Sequence, residues 1–422
     1  MAQRAIREYD CKKMLATYWQ EYISTDFGYS GRIAIVEPET DLDSLPEKHE
    51  WLADEKLVVK PYQLFCKRGM HELVKINLDF NEVKNWVRER MNTEITIQQV
   101  TDKLTHFIIE PFIPHADQFY VAIKSNRGGE TIYFSSRGGI DIESVWDTVA
   151  TIEVGVLEDI AKVDIDPLVP LDIGAKEQEM LADFIRGLYR FYRSLGFTYL
   201  EINPFVIADE TIVPLDLVAR LDDTAQFECA QKWCELSFPA PFGRKLSKEE
   251  EYIKKLDAKS GASLKLTIFN PNGLIWAIIA GGGASVIYTD TIIDLGCQSE
   301  LANYGEYSGN PSTDETYEYA KTILDLMTRT KDAQGRPKCL LIGGGIANFT
   351  DVARTFEGIS LALTEYKHKL HETNVKIFVR RGGPNYQEGL RNMKSLGQEL
   401  DIPIEVYGPE THMTKIVNMA LN

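Results

Sequence analysis

The stretch LIWAIIAGGGASV, residues 274–286, decides the fold of this chain. Residues 274–280 are apolar without alternation, which is typical of a strand covered on both faces, as in a parallel sheet. Gly281, Gly282 and Gly283 follow, and Ala284 opens a predicted helix. Glycine lets a ligand approach the backbone, and a helix N-terminus presents unpaired N–H groups and a positive dipole end. These four residues therefore predict an anion-binding, catalytic loop, with a tight structural turn as the alternative.

Two more apolar strands of the C-terminal half also end in glycine turns. Residues 338–342 run into the glycines 343–345, and residues 375–379 run into the turn RRGG at 380–383. In an open α/β sheet, ligands bind outside the carboxyl ends of the strands. The three turns therefore predict one crevice for a small anionic ligand.

Polar side chains beside these turns suggest how the anion is held. Arg381 offers a planar fork that matches a carboxylate, and we expect it, rather than Arg380, to point into the crevice. Asn348 and Thr350 add hydrogen-bonding capacity, although Thr350 could instead be the N-cap of the following helix. Residues 304–309 are expected to form a loop, either covering the site or lying on the surface.

The order of the elements indicates two domains. The proline-rich segment 238–243 separates an N-terminal, hairpin-rich domain (1–243) from a C-terminal domain (244–422) in which strands and helices alternate. That alternation predicts a doubly wound parallel sheet. The expected elements of this domain are strands at 274–280, 339–342, 375–379 and 404–407, and helices from 284 and at 312–331, 350–370, 385–400 and 411–421.

The N-terminal domain carries residues suited to a nucleotide. Lys60 at a strand end, the turn 67–69 and Glu110 before a proline suggest a nucleotide held between small sheets. Asn203 and Asp216 lie on consecutive predicted strands and supply hard oxygen ligands for magnesium. Each of these features alone is more often structural, but the ordered set is more specific.

Composition excludes some partners. The formal charge is −17, and no block of consecutive basic residues is longer than a pair, so nucleic acid and anionic membranes are not expected partners. The N-terminus lacks an apolar signal region, and no apolar run is long enough to span a membrane. Six cysteines without metal-ligand spacing indicate buried, reduced thiols, so a cytoplasmic protein is expected.

Several longer motifs resemble the ATP- and citrate-binding part of the ATP-citrate lyase family, and more distantly the β chain of succinyl-CoA synthetase. They are spread over nearly the whole chain: LVVKP (57–61), KRG (67–69), EPFIPH (110–115), EINP (201–204), LDAKSGASLK (256–265), AGGGASV (280–286), NYGEYSG (303–309), GGGIANFTDVA (343–353) and FVRRGGPNYQEGLR (378–391). The resemblance implies an N-terminal ATP-grasp domain and a C-terminal flavodoxin-like domain.

The resemblance also implies site residues. The ATP site would comprise Lys60, Arg68, Gly69, Glu110, Pro111 and Ile113, with magnesium at Asn203 and Asp216. Citrate would be bound by Gly309, Asn348, Thr350, Tyr366 and Arg381 beside the 281–283 loop, and a further cation by Asp257, Ser260 and Ala262. The ribose position, usually Glu in the family, is Gln118 here, preceded by Asp117, and either could make that contact.

The activity expected from the family needs a second subunit. None of the seven histidines has the glycine-flanked setting of the family's phosphorylated histidine, so that residue, the CoA site and the citryl-CoA lyase domain are expected on a partner. The implied reaction is ATP-driven formation of citryl phosphate, then citryl-CoA, then acetyl-CoA and oxaloacetate. The alternatives are the large subunit of a citryl-CoA synthetase, which omits the cleavage, and a non-catalytic sensor of nucleotide and tricarboxylate.

Overall fold

The structure is a computed structural model that describes residues 3–66, 68–97, 100–139, 142–233 and 236–421. The chain divides into two compact units, Met1–Lys245 and Leu246–Asn422. The division lies two residues beyond the boundary that the proline-rich segment suggested. Each unit has its own hydrophobic core.

The first unit is built mainly from antiparallel strands. Its strands are β1 (Gln3–Ile6), β2 (Ala34–Val36), β3 (Leu57–Pro61), β4 (Lys75–Leu78), β5 (Glu94–Ile97), β6 (Val100–Lys103), β7 (Phe107–Pro111), β8 (Phe119–Ser125), β9 (Gly129–Ser135), β10 (Ala150–Gly155), β11 (Phe197–Ala208), β12 (Thr211–Pro214) and β13 (Leu217–Asp222). Its helices are α1 (Glu8–Thr17), α2 (Trp19–Tyr22), α3 (Leu45–Lys48), α4 (Trp51–Asp54), α5 (Phe80–Arg90), α6 (Ala175–Ser194) and α7 (Gln226–Cys229).

Two sheets of the first unit carry its predicted site residues. The larger sheet has the order β1-β13-β11-β8-β9-β10, with β12 paired to β11, and the smaller has the order β2-β7-β3-β4. Helix α6 buries one apolar face, and its Phe184 stacks on Trp19 with ring centroids 5.8 Å apart. Asp216, which was expected on a strand, lies in the interruption between β12 and β13.

The second unit contains one mostly parallel sheet. Its strands are β14 (Ser263–Ile268), β15 (Ile275–Ala280), β16 (Asn303–Ser308), β17 (Lys338–Gly344), β18 (Val375–Arg380) and β19 (Ile404–Tyr407). Its helices are α8 (Lys248–Asp257), α9 (Gly282–Asp294), α10 (Thr313–Thr328), α11 (Val352–Glu365), α12 (Lys367–Glu372), α13 (Tyr386–Leu400) and α14 (Lys415–Leu421). The strand order is β14-β16-β15-β17-β18-β19, and only the edge strand β14 runs antiparallel to its neighbour.

Strand β15 is buried on both faces, as its unbroken apolar sequence predicts. Trp276 and Ile278 belong to one core, which α10, α11 and α13 cover, whereas Ile275 and Ile279 belong to another, which α9 and α14 cover. The parallel, doubly wound arrangement is therefore confirmed. Because β16, β15, β17 and β18 are neighbours, their carboxyl ends meet at one edge of the sheet.

The loop expected at 304–309 is wrong. Residues 303–308 form the strand β16, in which buried and half-buried residues alternate. This alternation has the two-residue period of a strand. The expectation of a loop did not take that period into account. The helix expected at 350–370 is likewise divided at Tyr366 into α11 and α12, and the helix expected from 411 begins at Lys415.

Two sequence expectations concern the chain as a whole. Among the described residues, no helix combines the length and the apolar composition that a membrane span needs. Cys11, Cys229 and Cys339 are buried and unpaired, Cys297 is half-buried, and Cys66 is exposed, so the expectation of burial is wrong for Cys66 and holds only in part for Cys297. Cys234 lies outside the described residues.

Candidate functional site

The loop after β15 begins the helix that its sequence predicts. Gly281 is the N-cap residue, at φ +95°, a conformation that favours glycine, and its N–H donates to the carbonyl oxygen of Tyr307 at 2.8 Å. Helix α9 starts at Gly282, two residues earlier than expected. The first-turn N–H groups of Gly282, Gly283 and Ala284 have no acceptor within the helix, as in any α-helix. They therefore remain candidates for binding an anion.

Glu306, which the sequence placed in the expected loop at 304–309 and not among the anion-binding residues, lies beside this helix start. A Cβ atom at Gly282 would lie 3.0 Å from Glu306 Oε1. The Tyr304 hydroxyl donates to Glu306 Oε2 at 2.8 Å, and burial together with this contact raises the pKa of Tyr304 to about 12. The carboxylate is favourably placed near the positive end of the helix dipole.

The two arginines at the end of β18, Arg380 and Arg381, make different contacts. Arg380 and Arg381 are both buried. Arg381 donates from Nη1 to the carbonyl oxygen of Gly345 at 2.7 Å, and its buried Nε has no partner among the described residues. Arg381 therefore keeps donor capacity for a ligand. Arg380 donates from Nε, Nη1 and Nη2 to the carbonyl oxygens of Thr411, Gly344 and Pro409 at 2.8, 2.8 and 3.2 Å.

Thr350 joins two of the turns. Its hydroxyl donates to the carbonyl oxygen of Gly309, which follows β16. The alternative role of Thr350 as N-cap is wrong, because Asp351 caps α11 by accepting from the N–H of Arg354 at 3.0 Å. Asn348 is exposed in the loop between β17 and α11. Gly309, Asn348, Thr350 and Arg381 thus all belong to segments that leave the carboxyl edge of the sheet.

Tyr366 is not brought to this edge, which corrects its assignment to the same site. Thr350 lies two residues before α11, whereas Tyr366 is the C-cap residue of that helix. A helix of 14 residues is about 21 Å long, at roughly 1.5 Å per residue. The Tyr366 hydroxyl instead donates to Asp325 Oδ1 at 3.3 Å.

The segment expected to hold a further cation is stabilised by its own contacts. Asp257 Oδ1 accepts from the N–H of Leu264 at 2.7 Å, and Oδ2 accepts from Lys265 Nζ at 2.6 Å. Ser260 Oγ accepts from the N–H of Ala262 at 2.9 Å. Both carboxylate oxygens of Asp257 therefore have protein donors, and the cation position stays a prediction.

The turn after β17 supports a stability prediction. A Cβ atom at Gly343 would lie 2.5 Å from Cζ of Tyr288, which is buried under the turn. We expect Gly343→Ala to lower the free energy of unfolding of the second unit by about 1–3 kcal/mol, because the buried ring cannot move aside. Urea titration of the whole chain, read by hydrogen exchange of second-unit peptides, measures this change.

The neighbouring Gly345 provides the control for that prediction. A Cβ atom there would meet nothing within 4 Å, so Gly345→Ala should change the free energy of unfolding by no more than about 0.5 kcal/mol. Equal stability of both variants would contradict the packing described for Gly343 and Tyr288.

The first unit contains a cleft of about 1710 Å³. It brings together every residue that the sequence assigned to the nucleotide and its magnesium: Lys60, Arg68, Gly69, Glu110, Pro111, Ile113, Gln118, Asn203 and Asp216. They come from the seven-stranded and the four-stranded sheet of this unit and from the loops that follow β3, β7 and β12. Their convergence from distant parts of the chain supports a common binding role.

Lys60 and Arg68 are buried and paired with carboxylates. Lys60 Nζ lies 3.4 Å from Glu110 Oε2 and donates to the carbonyl oxygen of Leu215. Arg68 donates from Nη1 to the carbonyl oxygen of Pro61 at 2.9 Å and from Nη2 to Asp216 Oδ1. The cleft therefore contains two buried cations that could bind an anionic ligand. In this structure their charges are neutralised by carboxylates of the protein itself.

Two further charged residues, Glu8 and Lys12, contact these side chains, and sequence reasoning missed them. Glu8 and Lys12 lie on α1, and Lys12 Nζ lies 2.9 Å from Glu8 Oε1 and 2.7 Å from Glu110 Oε1. Burial lowers the pKa of Lys12, but the charges of Glu110 and Glu8 outweigh it and hold that pKa above its usual value. The only sequence signal was the i,i+4 spacing of Glu8 and Lys12, which is usually found on solvated helix faces.

The ribose alternatives are separated by the structure. Gln118 lines the cleft, and its Nε2 lies 2.9 Å from His115 Nε2. Asp117 lines a smaller neighbouring cavity of about 650 Å³ instead. The geometry thus favours Gln118 over Asp117 for a ligand in the larger cleft.

Asn203 and Asp216 fit a hard cation that arrives with phosphate. They are adjacent, since the N–H of Asn203 donates to the carbonyl oxygen of Asp216 at 3.0 Å, and Asn203 Oδ1 accepts from Gly139 N–H at 2.7 Å. Among the described residues, no group of three His, Cys, Asp or Glu side chains could hold a metal alone. Two oxygen donors in a cleft suit magnesium that keeps water and phosphate as its other ligands.

Asp216→Asn tests this pair. We expect the magnesium concentration needed for half-maximal ATP binding to rise about tenfold or more, because an amide oxygen replaces a charged ligand. Calorimetric titration with ATP at several magnesium concentrations measures it. Asp209→Asn is the control, since Asp209 lines the same cleft from the hairpin between β11 and β12, whereas Asn203 lies within β11. A similar rise in both variants would contradict the assignment.

Comparison with known proteins matches each of the two units to its own family model. The family model described as the ATP-citrate synthase ATP-grasp domain matches residues 2–233, and the model described as ATP citrate lyase citrate-binding matches residues 244–422. The two matches together include both sites described above.

Curated relatives and solved structures extend the similarity over the whole chain. The ATP-citrate synthase of Homo sapiens is 50% identical over all of this chain, which spans 38% of that protein's length. The ATP-citrate synthase alpha chain protein 2 of Arabidopsis thaliana is 48% identical, and this chain covers 98% of it. The structure of ATP citrate lyase from Methanothrix soehngenii in complex with citrate and coenzyme A is 53% identical, with a TM-score of 0.91 and full coverage of both chains.

Proposed function

Since the chain belongs to the ATP-citrate synthase family, with an ATP-grasp domain followed by a citrate-binding domain, we propose that it is the ATP- and citrate-binding subunit of an ATP-citrate lyase. The complete reaction converts ATP, citrate and CoA to ADP, phosphate, acetyl-CoA and oxaloacetate. The observation that carries the proposal is the gathering of all predicted nucleotide residues in one cleft of the ATP-grasp unit.

ATP is proposed to bind in this cleft with its phosphates toward Lys60 and Arg68. Their positive charges stabilise the anionic phosphate chain, and the cleft walls at Pro111 and Ile113 receive the apolar base. Asn203 and Asp216 would hold magnesium, which neutralises charge on the phosphates during transfer. Phosphoryl transfer needs mainly such positioning and electrostatic stabilisation.

Citrate is proposed to bind at the carboxyl edge of the parallel sheet. Arg381 has a buried donor there that meets no partner among the described residues, and a carboxylate satisfies such a donor well. Asn348 and the Gly309 turn would contact the remaining oxygens of citrate. This edge also contains the start of α9, so an anionic citrate and an incoming phosphoryl group would both lie near N–H donors.

The phosphoryl group is proposed to travel on a histidine of a partner subunit. The first turn of α9 would bind the phosphoryl group while citrate attacks it, and the partner would then supply CoA and cleave citryl-CoA. A separate partner is supported by the lengths of the relatives, since this chain spans 38% of the human protein but 98% of the plant alpha chain.

An assay of the complex with its partner separates the alternatives. Oxaloacetate formation that requires ATP, CoA and citrate together is expected for the lyase. Accumulation of citryl-CoA without oxaloacetate would instead identify a citryl-CoA synthetase. Binding of ATP and citrate without any product would identify a sensor and overturn the proposal.

A further inference from the structure

Helix α1 places a buried carboxylate behind the two cations of the nucleotide cleft. Glu8 Oε1 accepts from Lys60 Nζ at 2.6 Å, and Glu8 Oε2 accepts from Arg68 Nη1 at 2.6 Å. Lys12 Nζ also lies 2.9 Å from Glu8 Oε1. One carboxylate group therefore contacts three cationic side chains.

Glu8 stays ionised in this position. Burial raises the pKa of a carboxyl group, but the charges of Arg68, Lys12 and Lys60 outweigh burial and hold the pKa of Glu8 well below its usual range. The contacts are thus charge-assisted, the class of hydrogen bond that restrains geometry most strongly.

The carboxylates around Lys60 and Arg68 differ in their access to the cleft. Glu110 and Asp216 line it, with side-chain exposures of 13% and 34%, whereas Glu8 has 2% and does not line it. An entering phosphate can therefore replace Glu110 and Asp216 as a partner of the cations, but it cannot reach the far side that Glu8 occupies.

We propose that Glu8 is a positioning residue of the nucleotide site: it anchors Lys60 and Arg68 from behind while their contacts with Glu110 and Asp216 are exchanged for phosphate. Glu8 touches neither nucleotide nor metal and acts through the two cations. The inference rests on the proposed function, because it needs a phosphate ligand in this cleft.

The contacts of Glu8 determine whether its removal weakens or strengthens ATP binding. Without the Glu8 charge, Lys60 and Arg68 are drawn toward the remaining carboxylates, Glu110 and Asp216. Those are the contacts that a phosphate must displace. Removal of Glu8 should therefore weaken ATP binding, although it makes the cleft more positive.

Glu8→Gln tests the proposal, since it keeps the side-chain shape and removes the charge. We expect the dissociation constant for ATP with magnesium to rise about tenfold or more, and that for adenosine, which lacks phosphates, to change less than about twofold. Glu21→Gln is the matched control, because Glu21 is an exposed glutamate paired with Lys232 at 3.0 Å. Unchanged or tighter ATP binding, or an equal loss for ATP and adenosine, would overturn the proposal.

A second pair of variants shows whether Glu8 acts through Lys60. In a Lys60→Met background, Glu8→Gln should weaken ATP binding much less than it does in the wild type, because coupled residues are not additive. Full additivity of the two changes contradicts the proposed anchoring.

Loss of folding by the single variant does not end the test. Glu8→Gln combined with Lys12→Met removes one charge of each sign, and this double variant should still lose ATP affinity selectively over adenosine. Recovery of wild-type ATP affinity would show that charge balance alone matters and would overturn the proposal. Absence of ATP binding by the wild type would instead overturn the proposed function itself.

Discussion

Lys60→Met is expected to weaken the binding of ATP with magnesium about 10- to 150-fold and to leave citrate binding unchanged. Lys60 is buried at the end of β3 and lines the cleft, and a charged hydrogen bond contributes about 1.5–3 kcal/mol. Methionine retains the length and apolar stem of lysine, so the variant removes mainly the charge. Isothermal titration of the whole chain, at one fixed salt concentration, measures both affinities.

Lys84→Met is the control for this prediction. Lys84 is a lysine of the same unit that pairs with Asp43 at 2.8 Å on the surface and does not line the cleft. A surface pair of this kind is worth little, so ATP affinity should stay within about twofold of the wild type. Equal affinities of Lys60→Met and the control would exclude Lys60 from the nucleotide site.

Arg381→Ala is expected to weaken citrate binding by about 1.5–3 kcal/mol, that is, about 10- to 150-fold, with ATP binding intact. The reason is the buried Arg381 Nε, which has no partner among the described residues and lies in a turn at the carboxyl edge of the sheet. The change also removes the contact to the Gly345 carbonyl oxygen, so the thermal stability of the variant should be measured beside its affinity.

Two further variants sharpen the Arg381 result. Arg381→Lys keeps the charge but loses the planar fork, so citrate affinity should fall between the wild type and the alanine variant. Arg391→Ala removes an exposed arginine of α13 and should leave citrate affinity unchanged. Citrate affinity that is the same in Arg381→Ala and the wild type would rule out Arg381 as a citrate ligand.

The strongly patterned parts of the chain were predictable from sequence. The unbroken apolar run of β15 indicated burial on both faces, and the strand–helix alternation after residue 243 indicated a parallel sheet. Because parallel strands align their carboxyl ends, the convergence of the glycine turns followed from the fold alone. Strand β16 was missed because its alternation is short and lies within a motif rich in glycine and tyrosine.

Site residues that are recognised only by contacts between distant parts of the chain were not predictable from sequence. Glu8 meets Lys60 across 52 positions of the chain, and Lys12 meets Glu110 across 98, and nothing local distinguishes these residues from a solvated helix pair. Tyr366 shows the opposite error. Resemblance placed it with Thr350, but a whole helix separates the two residues.

We propose that this chain uses ATP in one unit and citrate in the other to drive phosphoryl transfer with a partner. The most direct test is incubation of the chain and its partner subunit with magnesium and ATP labelled in the γ-phosphate, followed by addition of citrate without CoA. We expect an acid-labile label on the partner that citrate discharges, much less label with Lys60→Met at an ATP concentration that half-saturates the wild type, and a label that citrate discharges poorly with Arg381→Ala. Absence of label with the wild-type chain, or equal discharge by citrate with Arg381→Ala, would contradict it.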